Sequence, residues 1–170
     1  NATGESPAAS NPFPPGFFKP AVCWWCFVFR GYGWSTGNPS VRSLIEDVRS
    51  VLAAVPEIMS RAGLVAESLI VMGRSLGSAP AIHAATQYAD RVDGLIIESG
   101  FSDAIPLLLR MGIPGELLDG HDDPLRNREK ITGLTAPLLV IHGERDRLIP
   151  VSEGQVLFDA APGPKKRLLR

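Results

Sequence analysis

From Val41 onward the apolar residues recur at Val41, Leu44, Ile45, Val48, Leu52 and Val55, at intervals that gather them into one stripe. That period marks an amphipathic helix resting on a sheet. Asn38-Pro39-Ser40 supplies its start, and Pro56 ends or kinks its apolar part. The rest of the chain alternates shorter apolar runs with polar breaks. Runs of strand length occupy positions 21–29, 68–73, Val92 to Glu98, Pro137 to His142 and Lys165 to Arg170. Helical patterning falls between them. One helix covers about 76–89, where Ala79, Ala81, Ala84 and Ala85 permit close packing and Pro80 fits a first turn. A second begins near Ser102-Asp103 and carries Ile105, Leu108 and Leu109 inward; a third has Ser152 as N-cap, Gln155 at N3 and Val151 against Val156 as a staple. Gly112 to Gly133 reads as loop. Strand, helix, strand at this spacing predicts an α/β domain, with a mainly parallel sheet of about five strands and helices on both faces.

A length of 170 residues, 45% of them hydrophobic, suits one domain with a real core. Residues 1–20 hold five prolines and two glycines and read as a disordered or extended segment, leaving 21–170 as the domain. No internal repeat or second domain is evident. Seventeen basic and eighteen acidic residues are scattered along the chain, which leaves no electrostatic footprint for nucleic acid and no polybasic membrane patch. The longest apolar run, 21–29, is too short to cross a bilayer, no signal peptide is marked, and a cytoplasmic location is the default. Cys23 and Cys26 form a Cys-x-x-Cys inside that run, where strand geometry points them to opposite faces and makes them buried small hydrophobes. Two cysteines without a nearby histidine also fall short of zinc's usual four ligands, so no metal is expected.

The chemistry centres on Gly73-Arg74-Ser75-Leu76-Gly77, which follows the apolar run Leu69-Ile70-Val71-Met72. A Gly-x-Ser-x-Gly between a strand and a helix forces a tight turn, in which the glycines remove colliding Cβ atoms and the serine hydroxyl stands above the sheet edge. Such a hydroxyl needs a base, and the base an orienting acid. Asp146, on the loop past the strand ending at His142, is the candidate acid, the alternative being a solvated loop aspartate paired with Arg145 or Arg147. Asp103, after the strand ending at Glu98, is a weaker alternative acid. The base is harder to place. His83 lies well inside the helix after Ser75, and His142 ends a strand where it ties the Asp146 loop, the alternative being that it is the base; His121 overhangs from a polar stretch but precedes the acid in sequence. The backbone N–H of Leu76 is an oxyanion donor, and the Arg30 to Gly37 loop is the one early candidate for a second.

Three ordered motifs resemble the α/β-hydrolase superfamily, and within it the bem46-like and ABHD13-like serine hydrolases. They are Phe29-Arg30-Gly31-Tyr32-Gly33-Trp34-Ser35-Thr36-Gly37, the Gly73 to Gly77 pentapeptide, and His142-Gly143-Glu144-Arg145-Asp146-Arg147-Leu148-Ile149-Pro150. The resemblance runs from about Phe27 to Leu169 and implies an incomplete α/β-hydrolase fold, a partial chain lacking N- and C-terminal parts. It implies Ser75 as nucleophile, Asp146 as triad acid and Leu76 as amide donor, acting on a small carboxylic ester or thioester without a cofactor. Tyr32, Trp34, Arg74 and His121 then become candidate pocket residues. The family's early His-Gly loop and its late Gly-His are not matched here. The competing expectation is therefore an inactive or truncated hydrolase-like protein that keeps the Ser75 turn as architecture, serving as a binding or structural module.

Overall fold

A strand holds its place when its backbone is laddered to a neighbour and one side-chain face is covered. In the computed structural model, which describes residues 23–118, 120 and 122–170, four segments meet that condition. They are β1 (Ile70–Arg74), β2 (Gly94–Glu98), β3 (Leu138–Ile141) and β4 (Lys166–Leu169), ordered β1-β2-β3-β4 with every neighbour parallel. The register aligns Arg74 with Glu98, Glu98 with Ile141 and Ile141 with Leu169. All four strands thus end on one line. Whatever follows each strand is delivered to the same sheet edge, the place where open α/β sheets put ligands.

The connecting helices are α1 (Val41–Arg61), α2 (Ser78–Gln87), α3 (Ala104–Arg110), the single turn α4 (Asn127–Lys130) and α5 (Val151–Ala160). Helix α1 begins as its sequence predicts. The Ser43 amide donates to Ser40 Oγ at 3.0 Å and the Ser40 amide to Ser43 Oγ at 2.9 Å, a reciprocal cap. Pro56 does not stop the helix, which runs on to Arg61, but its buried residues, Ser43, Leu44, Val48 and Leu52, all precede the proline. Pro80 sits in the first turn of α2, where a missing N–H breaks no intrahelical bond.

Side-chain alternation on the strands puts Val71, Gly73, Leu95, Ile97, Leu138 and Val140 on one face, where they join a core with Val48 and Leu52 of α1, Ala81 and Ile82 of α2 and Leu157 of α5. Ile82, Ile97, Val140 and Leu157 are fully buried. Each contributes about 1.5–3 kcal/mol by leaving water, so this face holds the sheet to its helices. The other face is different. Ile70 is 58% and Met72 41% exposed, and Leu169 also meets solvent, so among the described residues the helical cover is concentrated on a single face. A second core of Phe101, Ala104, Leu107, Leu125 and Ile149 seats α3 and the loops beside β2 and β3.

Several expectations are corrected. The sheet has four strands among the described residues, because 23–29 forms no ladder; Trp24, Trp25 and Phe27 are exposed and the segment covers no core. Without a paired neighbour an apolar, β-prone run has nothing to bury against. Cys23 and Cys26 are consequently exposed free thiols instead of buried ones. Helix α3 turns Ala104 and Leu107 inward, and Leu109 is exposed, so its buried stripe is offset from the expected one. Helix α5 starts at Val151 with Pro150 as N-cap, two residues before Ser152, because the Glu153 amide already donates to the Pro150 carbonyl at 2.9 Å. The stretch 112–133 is more ordered than a plain loop: Leu125, Asn127 and Ile131 are buried, and Asn127 Nδ2 donates to the Phe101 carbonyl at 3.0 Å. The proline-rich segment 1–20 lies outside the described residues, as does His121.

Candidate active site

Ser75 leaves β1 in a left-handed conformation, with φ 49°, directly after Arg74 in an extended one. A non-glycine residue there costs on the order of 1–3 kcal/mol, and such conformations concentrate at functional sites. Gly73 makes the turn feasible. A Cβ at that position would lie 2.4 Å from the Gly77 carbonyl oxygen and 2.6 Å from Ala81 Cβ, so only glycine lets α2 cross β1 this closely. Gly77 acts otherwise than the sequence suggests: a Cβ there would meet nothing within 4 Å, and its φ of −64° is ordinary helix. It is the Gly77 backbone, not its lack of a side chain, that closes the turn. Leu76 follows in a one-turn 3₁₀ segment, Ser75–Gly77, that opens α2, and its side chain is 40% exposed.

Asp146 stands on the loop between β3 and α5, where Asp146 Oδ1 accepts from the amides of Leu148 at 3.0 Å and Ile149 at 2.9 Å. These bonds, led by Ile149, hold the carboxyl below its usual range against the opposing effect of burial. The aspartate is thus an anion fixed on a rigid turn, not a freely solvated side chain. Among the described residues neither Arg145 nor Arg147 forms an ion pair with Asp146.

The histidines sort by burial. His142 is 1% exposed and its Nε2 lies 2.8 Å from the Ile149 carbonyl, so it ties the Asp146 loop as the sequence indicates. His83 lies on α2, edge-on to Tyr88, with its Nδ1 buried and unpartnered; burial first, then Lys130, pushes its pKa down. Arg74 pairs across the register with Glu98 at 3.6 Å and is otherwise exposed. Tyr32 and Trp34 are 52% and 93% exposed on a loop braced by the Arg30 ion pair to Asp47 and by Ser35 Oγ donating to the Val28 carbonyl at 2.8 Å. Asp103 accepts from Ser102 Oγ at 3.0 Å and heads α3. Two cavities, of about 770 and 410 Å³, lie elsewhere, the first beside Asp103, Asp123 and Arg126 and the second beside Val41, Ile45 and Lys130.

Two contacts escape a reading of the sequence. Arg30 with Asp47 and Ser102 with Glu153 (Oγ to Oε2 2.6 Å) join residues far apart in the chain. Only the motif-like Arg30-Gly31 hinted at the first.

A parallel sheet with a Gly-x-Ser-x-Gly turn and an acid loop on one edge defines an α/β-hydrolase-type domain. Solved structures agree on the fold. An esterase of Pyrococcus furiosus superposes with a TM-score of 0.63 at 20% identity, covering 83% of this chain and 58% of its own. Alpha/beta hydrolase domain-containing protein 10 from mouse gives 0.58 at 22% identity, covering 83% and 64%. Among curated relatives, human alpha/beta hydrolase domain-containing protein 17B is 29% identical over 140 residues, which are 82% of this chain and 46% of that protein. Mouse alpha/beta hydrolase domain-containing protein 17C is 32% identical over 136 residues, 79% of this chain and 39% of that protein. The chain spans less than half the length of these curated relatives, and no protein-family model matches it. The chain belongs to the α/β-hydrolase superfamily. The finer bem46-like and ABHD13-like resemblance is not singled out by these relatives.

Proposed function

We propose that the chain carries the nucleophile and acid of a serine hydrolase that cleaves small carboxylic esters or thioesters through an acyl-enzyme. The observation that carries this reading is the strained backbone of Ser75, set between an extended Arg74 and the start of α2 by the close approach at Gly73. In this mechanism the Ser75 hydroxyl loses its proton to a base and attacks the acyl carbon. The oxyanion forms beside the Leu76 amide, the alcohol or thiol leaves, and water then releases the acid. Asp146, kept ionised by its turn, orients the base and stabilises its positive charge. The relatives lend the reading further support, since one of the structural neighbours is named as an esterase and another as a monoacylglycerol lipase. Tyr32 and Trp34, exposed aromatics on a braced loop, are suited to line an acyl or leaving-group pocket, whereas Arg74 is better read as the surface partner of Glu98.

The engagement of His142 with Ile149 and the burial of His83 Nδ1 favour a second reading, a hydrolase-like module that keeps the turn without turnover. A fluorophosphonate probe separates the two. Labelling that is confined to Ser75 and lost in Ser75→Ala, together with p-nitrophenyl acetate turnover lost in the same variant, supports the hydrolase. Absence of labelling on a folded chain sinks it and leaves the module.

A further inference from the structure

Lys130 closes the single turn α4, and its root is fixed. Its amide donates to the Arg126 carbonyl at 2.9 Å, and Asn127 and Ile131, which bracket it, are fully buried. The side chain is half-buried and lines the cavity of about 410 Å³ together with Val41, Ile45 and Pro124, a cavity that neither Ser75 nor Asp146 lines. Ile45 packs against the core of Phe101, Leu125 and Ile149, so that wall is held in place. The charges around this cavity are matched, with one exception. Glu46 Oε1 lies 2.6 Å from Arg42 Nε one turn away on α1, and Glu129 pairs with Arg126. Asp123 accepts from the Leu125 amide at 2.8 Å through Oδ1 and from the Ala104 amide at 3.2 Å through Oδ2. Lys130 is the exception: among the described residues it forms no ion pair. An ammonium drawn in among apolar walls is costly unless an anion meets it. Burial, above all, pushes its pKa down; Asp123 and Glu129 oppose that and Arg126 adds to it, and a bound anion would push it back up.

We propose that this cavity binds a small carboxylate with an aliphatic body, a medium-chain fatty acid anion, whose head group Lys130 holds and whose chain lies on Val41, Ile45 and Pro124. One unmatched cation suits one negative charge. A phosphate, with more charge and three acceptor oxygens, calls for more donors than this lining offers, because Arg42 and Glu46 together bring no net charge. The volume falls within the span of small-ligand pockets, about 300–1,000 Å³. The site stands whether or not Ser75 is reactive.

Calorimetric titration of the full chain with octanoate below its micelle concentration, octanol and inorganic phosphate tests the site. Octanoate is expected to bind saturably at one site, octanol about tenfold more weakly for want of the charged hydrogen bond, and phosphate not at all. Lys130→Met keeps the stem and its packing while removing the charge, and is expected to weaken octanoate about tenfold and leave octanol unchanged. Lys130→Arg restores a cation and is expected to bind octanoate near the parent level. Val41→Glu, in the exposed first turn of α1 where an acid suits the helix dipole, puts a competing carboxylate on the lining and is expected to abolish octanoate binding. Circular dichroism establishes that each variant is folded. The proposal is overturned if the parent chain takes up no octanoate, if octanol binds as tightly, or if folded Lys130→Met keeps the parent affinity. Should Lys130→Met not fold, Val41→Glu decides, and retained binding there overturns the proposal too. Phosphate that displaces octanoate at equal strength does the same, since the site would then take any anion.

Discussion

His142 Nε2 lies 2.8 Å from the carbonyl of Ile149, and this one contact closes the loop on which Asp146 stands. The imidazole is almost fully buried, its Nδ1 has no partner, and a Cβ on Gly154 would come within 2.5 Å of that nitrogen. With a carbonyl as acceptor, Nε2 carries a proton and the ring acts as a structural donor. His142→Ala removes packing and a buried hydrogen bond together and is expected to cost about 2–4 kcal/mol in urea denaturation. A loss under about 1 kcal/mol would show the ring to be dispensable to the loop.

The two glycines around Ser75 should respond in opposite senses. Gly73→Ala drives a Cβ into the Gly77 carbonyl and Ala81, both backbone-fixed or rigid, and is expected to destabilise the fold by about 1–3 kcal/mol. Gly77→Ala meets open space on a helical backbone and is expected to be neutral or to stabilise by about 0.4–1 kcal/mol, through a less flexible unfolded chain. Paired thermal melts of the two variants check this. Equal losses would mean that the turn needs both glycines for a reason other than space.

The difference between those glycines illustrates what the sequence disclosed. Periodicity placed α1 and the four laddered strands because each buries a face, and burial leaves a repeat in the chain. The Gly-x-Ser-x-Gly turn was legible because its geometry tolerates few residue types. The segment 23–29 misled because β-propensity describes a fit to a partner and cannot report whether the partner is there. Glu153 was invisible for another reason: it acts across a contact set by strand order, and it does not differ locally from an ordinary helix glutamate. At α5, a good capping residue, Ser152, lost to the backbone geometry of Pro150 one position outside the helix.

Acid sensitivity should come in two steps with one sign. His83 has a folded-state pKa below its ordinary value near 6.5, so its contribution is complete above about pH 6.5 and is lost as pH falls, when the unfolded chain takes the proton first. Asp146 is likewise depressed, so its contribution is present above about pH 4 and is lost as pH falls through its folded-state value. Stability measured in urea should therefore decline below about pH 6.5 and again below about pH 4. His83→Gln is expected to flatten the first decline and Asp146→Asn to reduce the second, which Asp47, held low by its bond to Arg30, shares. A decline in either window that its variant leaves unaltered assigns that step to other groups.

The open face of the sheet offers a test of solubility. Met72 and Ile70 are exposed on β1, an edge strand whose only neighbour among the described residues is β2. Apolar side chains beside an unpaired strand edge invite association. Met72→Lys removes little buried area, so its melting temperature is expected to stay within the small range typical of surface changes, about 0.5 kcal/mol in stability. Light scattering at raised concentration should fall. A large loss of stability instead would show that Met72 is covered in solution.

Ser75 sets stability against chemistry most directly. Its left-handed backbone, φ 49°, is one that glycine adopts without penalty, so Ser75→Gly is expected to raise stability by about 1 kcal/mol while removing the hydroxyl. Ser75→Ala removes the same hydroxyl but keeps the Cβ and its strain, and its stability should stay near that of the parent chain. Both variants must lose fluorophosphonate labelling. The pair therefore separates two origins for the serine. If Ser75 were retained for architecture alone, through a hydrogen bond that steadies the turn, both substitutions would destabilise and glycine would bring no gain. If the strain is tolerated because the hydroxyl has work above the sheet edge, glycine gives the more stable protein and the unreactive one. Urea midpoints for the three chains, read beside their labelling, decide between these origins.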